Sequence, residues 1–298
     1  MKHAAAIQSG WTDCLTRGER PDGARLREHL LAVHGVHTGF TESCATGCRD
    51  PEGFNSYEWL ADAVPSDARA VLDMACGSGV LLQVCRRRLG PEVALTGVDM
   101  SPDEVALARE RLSADAVELH QALAQSMTPM ADASVDAVLC HWALTLMDPV
   151  APALAEVARV LCPGGCFAAI VDGPTEIAPG YGAVDALIFE AVQQAYPRYG
   201  DIDLGDPRVR DATALTTLCA EMFPGAEIRV ESRVMSVAGT ATAVAAEAVG
   251  FFYAAFVLSP SARAAMLNDL SRLLEAQAGG GACRFNMPVN RLSVRLPR

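Results

Sequence analysis

Between residues 70 and 172, short apolar runs alternate with longer amphipathic stretches, and that alternation predicts most of a fold. Residues 70–73, 94–99, 117–120, 135–140 and 166–171 read as strands. A helix through Leu81, Leu82, Val84, Cys85 and Leu89 follows the first strand after a glycine turn, and another from about 150 to 161 stops at Pro163-Gly164-Gly165. Ser101-Pro102-Asp103-Glu104 opens a helix with an N-cap serine, a first-turn proline and a capping-box glutamate. Strand–helix alternation of this kind implies a mostly parallel α/β sheet with helices on both faces.

On either side the rhythm changes. Residues 25–33 and 56–64 carry helical patterning, the second stopped by Pro65, and Gly35, Gly39, Gly47 and Gly53 break the stretch between them into loops. From 173 to about 225, prolines and glycines surround one helix near 183–196, the signature of an insertion. A strand resumes at 226–237, residues 241–277 are largely helical, and 291–296 forms a last strand. The chain therefore divides into an N-terminal helical lid (1–65), a cofactor-binding half (66–172), a cap (173–225) and a C-terminal completion of the sheet (226–298). No internal repeat is visible.

Composition narrows the class of partner. A hydrophobic fraction of 51% supplies a large core, and a net charge of -12 disfavours nucleic acid, which demands clustered Lys and Arg. The longest basic run, Arg86-Arg87-Arg88, falls in the last turn of a predicted helix, where it complements the dipole. No apolar stretch reaches membrane-spanning length, and the N-terminus lacks a signal peptide's apolar core, so the expectation is a cytoplasmic protein acting on a small molecule. Among ten cysteines, Cys44-x3-Cys48 and Cys162-x3-Cys166 lack zinc or redox spacing and read as free thiols, leaving no metal site.

The chemistry concentrates at Asp73-Met74-Ala75-Cys76-Gly77-Ser78-Gly79. Glycines directly after a strand permit a tight turn and close approach of a ligand. A dinucleotide fingerprint wants a third glycine where Leu82 stands, which counts against pyrophosphate binding. Asp73 closes the strand, where a carboxylate suits a cationic amino-acid moiety, and Asp99 follows Gly79 by 20 residues, suitably placed for ribose hydroxyls. Acid, turn and acid together suit S-adenosylmethionine better than a dinucleotide.

Residues 71–79 resemble the first motif of class I, Rossmann-like S-adenosylmethionine-dependent methyltransferases, and 96–101 resemble the acidic loop that follows it. Residues 133–138 and 159–165 are similar to the segments flanking the fourth strand and preceding the fifth. The resemblance implies a seven-stranded sheet whose last strand is antiparallel. It also implies that Asp73, Ala75 and the Gly77–Gly79 backbone border the methionine part, that Asp99 binds ribose and that Met100 packs on adenine. Family members often carry an acid after the third strand. This chain reads Gln121-Ala122-Leu123-Ala124-Gln125-Ser126 there, so Gln125, Ser126 or backbone groups take its place.

His141, at the end of the fourth strand, lies where parallel sheets put their ligands and is read either as a general base or as a packing group against the cofactor. His37 is a second candidate base, and Tyr57 is read as closing over the cofactor or as core. His34, His37 and Glu42 are read as a substrate-lining or merely polar loop rather than metal ligands. Tyr181, Phe189, Tyr196 and Tyr253 are candidates for an apolar substrate wall, and Glu176, Asp185, Glu190, Asp201, Asp203, Asp206 and Asp211 are read chiefly as a solvated acidic surface. The expected activity is methyl transfer to a small-molecule oxygen, nitrogen or carbon nucleophile in specialised metabolism. The alternatives are an NAD(P)-dependent oxidoreductase and a cofactor-binding descendant that does not methylate.

Overall fold

The computed structural model describes residues 5–200 and 204–298. In chain order the helices are α1 (Gly10–Arg17), α2 (Gly23–Val36), α3 (Glu42–Gly47), α4 (Ser56–Ala61), α5 (Val80–Leu89), α6 (Pro102–Arg111), α7 (Ala151–Val160), α8 (Tyr181–Gln193), α9 (Ala212–Met222), α10 (Ala241–Val249) and α11 (Pro260–Ala278). The strands are β1 (Ala70–Met74), β2 (Ala94–Asp99), β3 (Val117–Gln121), β4 (Val135–His141), β5 (Leu161–Asp172), β6 (Glu227–Gly239) and β7 (Cys283–Arg295). They form one sheet in the order β3-β2-β1-β4-β5-β7-β6. The first five strands are parallel, and β7 runs antiparallel to β5 from Cys166↔Arg295 to Asp172↔Val289. The seven-stranded α/β sheet with an antiparallel finish is thus the fold expected.

Two compact units make up the chain, each discontinuous in sequence. The first comprises Ser56–Gly173, Leu204–Ser232 and Val289–Arg298; the second comprises Met1–Asn55, Pro174–Asp203 and Arg233–Pro288. In the first unit, one sheet face gathers Leu72, Val98, Val138, Cys140, Phe167, Ala169 and Val171 against Leu154 and Val157 of α7 and Leu215, Leu218 and Cys219 of α9. Phe167 meets Phe223 at 6.1 Å between ring centroids. Each buried Val, Leu or Phe among them contributes about 1.5–3 kcal/mol. In the second unit, Trp11 of α1 stacks on the fully buried His29 of α2 at 4.9 Å, and Ser9 closes a capping box with Thr12.

Several local expectations need correction. α2 runs through Gly35 to Val36, because a single glycine lowers helix propensity without ending a helix packed along Leu26, His29, Leu30 and Val33. The short helix α3 replaces an expected loop and ends only at Cys48, past Gly47. The stretch 173–225 holds two helices rather than one, and α9 belongs to the sheet unit. Its N-cap is Asp211, which accepts from the Ala214 amide at 2.7 Å. β5 starts at Leu161, straight out of α7: Val135 pairs with Leu161, the register shifts past Pro163-Gly164-Gly165, and pairing resumes at Ala137↔Cys166. Among the described residues, no helix is long and apolar enough to cross a membrane.

Candidate functional site

The turn after β1 is built on left-handed backbone at Ala75 (φ 60°), Gly77 (φ 49°) and Gly79 (φ 80°). The Cys76 amide donates to the Val98 carbonyl at 3.0 Å, tying the turn to β2. A Cβ on Gly79 would lie 2.9 Å from Leu112 Cδ1 and 3.2 Å from Ala108 Cβ, so this glycine is required by the close packing of α6 as well as by its φ. Arg111 of α6 donates to both the carbonyl and the hydroxyl of Ser78, at 2.8 and 2.7 Å. Sequence reasoning missed this clamp, because nothing near Arg111 marks it as a partner of a residue 33 positions earlier.

Asp99 is a working part of the turn. Its Oδ2 accepts from the Gly77 amide and its Oδ1 from the Ser101 amide, both at 2.8 Å. The Ser101 N–H is the donor a capping box would assign to Glu104; Asp99 takes it, and Ser101 Oγ alone caps the Glu104 amide at 3.4 Å. Asp73, by contrast, is 1% exposed and neither carboxylate oxygen has a hydrogen-bond partner. Burial, and then the nearby Asp99 carboxylate, push its pKa well above the ordinary aspartate range. A buried, unsatisfied carboxylate at the carboxyl end of a central parallel strand fits a cationic ligand group, so these residues suit the amino-acid end of S-adenosylmethionine.

The expected adenine end is a backbone structure. The Ala122 amide donates to the Asp99 carbonyl at 2.9 Å, and Gln121 Nε2 donates to the Met100 carbonyl at 3.4 Å. A tight turn follows, in which the Ser126 amide donates to the Leu123 carbonyl at 2.9 Å. Gln125 sits half-buried at its corner, Ser126 is exposed, and Met100 is half-buried.

At the end of β4, His141 stacks on Tyr57 of α4, with ring centroids 3.8 Å apart and planes inclined by 18°. Its Nε2 shares a 2.9 Å hydrogen bond with Ser56 Oγ. The residue is half-buried, and desolvation of the ring pushes its pKa down to about 3. An imidazole depressed that far is neutral at working pH and a weak proton acceptor, which departs from the expectation of a base titrating near neutrality. Trp142 follows in left-handed backbone (φ 61°), its carbonyl capped by Thr145 Oγ1 at 2.6 Å. At the end of β5, Asp172 faces Arg210 at 3.6 Å; burial raises its pKa and Arg210 opposes that.

Asp73, Ala75, Gly77, Gly79, Asp99, Met100, Gln125, Ser126, Tyr57 and His141 all belong to the sheet unit. His37 belongs to the other. Its ring lies 4.6 Å from that of Phe256, and burial, then Arg263, lower its pKa. His34 Nε2 shares a 2.8 Å hydrogen bond with Tyr253 Oη, and Phe40 meets Tyr253 edge-on at 5.0 Å. These residues make an aromatic cluster within the helical unit, and no group of three or more potential metal ligands occurs among the described residues. Tyr181 packs on Phe252 and Phe285, and Phe189 on Tyr199. Of the insertion's acids, Asp206 pairs with Arg208 and Asp211 caps α9, while Asp201 and Asp203 lie outside the described residues.

A parallel sheet closed by an antiparallel strand, with an acid, a glycine turn and a second acid at its carboxyl edge, is the Rossmann-like methyltransferase fold. Residues 72–169 match the family described as methyltransferase domain. A demethylmenaquinone methyltransferase from Deinococcus radiodurans is 32% identical over 147 residues, which is 49% of this chain and 59% of that protein. The alignments to the first three such relatives span only 38–59% of the relatives' lengths. Among solved structures, the [4+2]-cyclase SpnF superposes with a TM-score of 0.57 at 17% identity, covering 93% of this chain and 97% of the other. A phosphoethanolamine N-methyltransferase from Haemonchus contortus gives 0.56 at 17% identity, covering 92% and 60%. At these identities the structures share the fold alone.

Proposed function

We propose that the protein transfers a methyl group from S-adenosylmethionine to a small-molecule acceptor. The observation that carries this reading is the contrast between the two acids at one turn: Asp99 is engaged by backbone amides, and Asp73 is buried with no partner. A site for a dinucleotide pyrophosphate would instead be lined by free N–H donors. When bound, S-adenosylmethionine supplies an electrophilic methyl group on a sulfonium. In this reading Asp73 and the Ala75–Gly79 backbone hold the amino-acid end, and Asp99 holds the ribose. Met100, Gln125 and Ser126 border the adenine, which backbone groups recognise in place of an acid. Tyr57 and His141 are positioning residues: the stacked pair, with the imidazole neutral and held by Ser56, presents an apolar wall that excludes water from an in-line displacement.

Demethylmenaquinone methyltransferase, as the name of a relative, supports a small-molecule acceptor. A role in specialised metabolism and a cytoplasmic location are parts of the same proposal, as are a lid role for residues 1–65 and a cap role for 173–225. The cyclase among the structural neighbours keeps the non-methylating reading in view. Titration calorimetry with S-adenosylhomocysteine and with NAD(P), followed by transfer of labelled methyl to a broad acceptor panel, tests the proposal. Tight homocysteine-nucleoside binding with labelled product is the expected result. NAD(P) binding without it overturns the cofactor assignment, and cofactor binding with no methylated product favours the non-methylating reading.

A further inference from the structure

Asp73 carries a consequence beyond its expected contact with the cofactor. Its side chain is 1% exposed, and both oxygens lie in protein with no hydrogen-bond donor. Four titratable groups interact with it electrostatically: Asp99 from the end of β2, Cys76 from the turn, Cys85 from α5 and Cys140 from β4. All four are acids or thiols, and burial holds the three thiols protonated, with Cys85 and Cys140 pushed up to about 12. Among the described residues, no cation is paired with Asp73. Asp99, the other carboxylate, accepts two amide hydrogens that Asp73 does not receive. An ionised carboxylate in such surroundings is costly, and neutralisation by a proton is the least costly remedy.

We propose that Asp73 carries a proton in the ligand-free protein and surrenders it when the α-ammonium group of the cofactor arrives, so that cofactor binding is coupled to proton release. This rests on the cofactor assignment above. The exchange balances: the Asp73 O–H bond breaks, its electron pair stays on the carboxylate, the proton passes to buffer, and the ammonium supplies the positive charge. The sign follows from linkage. A group protonated when free and ionised when bound makes affinity rise with pH, by at most about tenfold per unit for one proton. The coupling also selects chemically, because a nucleoside that lacks the amino-acid moiety has no cation to displace the proton.

Calorimetry of S-adenosylhomocysteine binding in buffers of different ionisation enthalpy, at one pH near neutrality, counts the protons. The expected outcome is release approaching one proton per ligand for the wild-type chain and none for 5′-methylthioadenosine, which keeps the adenosine and loses the ammonium. In parallel, an infrared difference spectrum of bound minus free protein should show loss of a protonated carboxyl band, absent from Asp73→Asn. S-adenosylhomocysteine binding with no buffer dependence and no carboxyl band overturns the coupling while leaving the cofactor assignment intact. Release of the same number of protons with 5′-methylthioadenosine overturns the role of the ammonium. Absence of any S-adenosylhomocysteine binding, by heat or by equilibrium dialysis, overturns the cofactor assignment and the coupling with it.

Discussion

Ala75 holds a left-handed φ of 60° without being glycine, which costs about 1–2 kcal/mol. Part of that is offset by the lower entropy of unfolded alanine. Ala75→Gly should therefore stabilise the protein by about 0.5–1 kcal/mol, read as a higher urea midpoint at unchanged slope. His29 is the second residue whose environment sets a measurable property. It is fully buried, its Nδ1 lies 2.9 Å from Ser9 Oγ, and burial lowers its pKa to about 4. Between the unfolded value near 6.5 and that value, the unfolded chain binds the proton more readily, so stability falls as pH falls through this window. The loss reaches about 3 kcal/mol by pH 4, and denaturant midpoints across pH 7 to 4 should fall more steeply for the wild type than for His29→Phe. Asp99→Ala strips the acceptor from the Gly77 and Ser101 amides as well as from a ribose. It should weaken S-adenosylhomocysteine binding at least about tenfold and cost about 1–3 kcal/mol of stability, measured by calorimetry and urea unfolding; unchanged affinity would remove Asp99 from the site.

The elements explain why the turn keeps its shape. β1 delivers Asp73, β2 delivers Asp99, and α6 is drawn onto both by the Ser101 cap and the Arg111–Ser78 clamp. Gly79 is the contact point, since its φ of 80° and the 2.9 Å approach to Leu112 leave no room for a side chain. Gly79→Ala should cost about 2 kcal/mol or more and reduce cofactor affinity, with urea unfolding and calorimetry as readouts. Adding Leu112→Ala should restore little, because the Ala108 contact and the backbone strain remain. His141 and Tyr57 are likewise joined by their elements. α4 precedes β1 in the chain, yet it packs on β4 and β5 and sets Ser56 and Tyr57 beside the strand end.

For the whole molecule, residues 66–172 do not make an independent half. The free edge of β5 is paired by β7, and its Phe167 face, partly covered by α7, is completed when α9 brings Phe223, Leu215 and Leu218. A fragment of residues 66–172 would leave the β5 edge unpaired and part of that face exposed, and it should aggregate on expression, whereas the full chain should stay monodisperse in light scattering. Each compact unit draws on three separate stretches of chain, so truncation at any single boundary cuts through a core.

The five parallel strands and the glycine turn were legible in the sequence because they rest on local rules. Period-two apolar runs make strands, glycines permit positive φ, and acids at strand ends face the carboxyl edge of a parallel sheet. Helices α1, α3 and α9 escaped notice because they are short, or amphipathic only against distant partners, and Gly35 misled because tertiary packing overrides a single weak propensity. What the tertiary structure alone decided is the state of the site's titratable groups. Asp73 and Asp99 are the same residue type in similar strand-end positions, yet one collects two amide hydrogens and the other none. His141 is an ordinary imidazole in the sequence and a desolvated, stacked one in the fold. Protonation depends on the dielectric and the donors within a few ångströms, and those come from residues up to 85 positions apart in the chain, as Ser56 and His141 are.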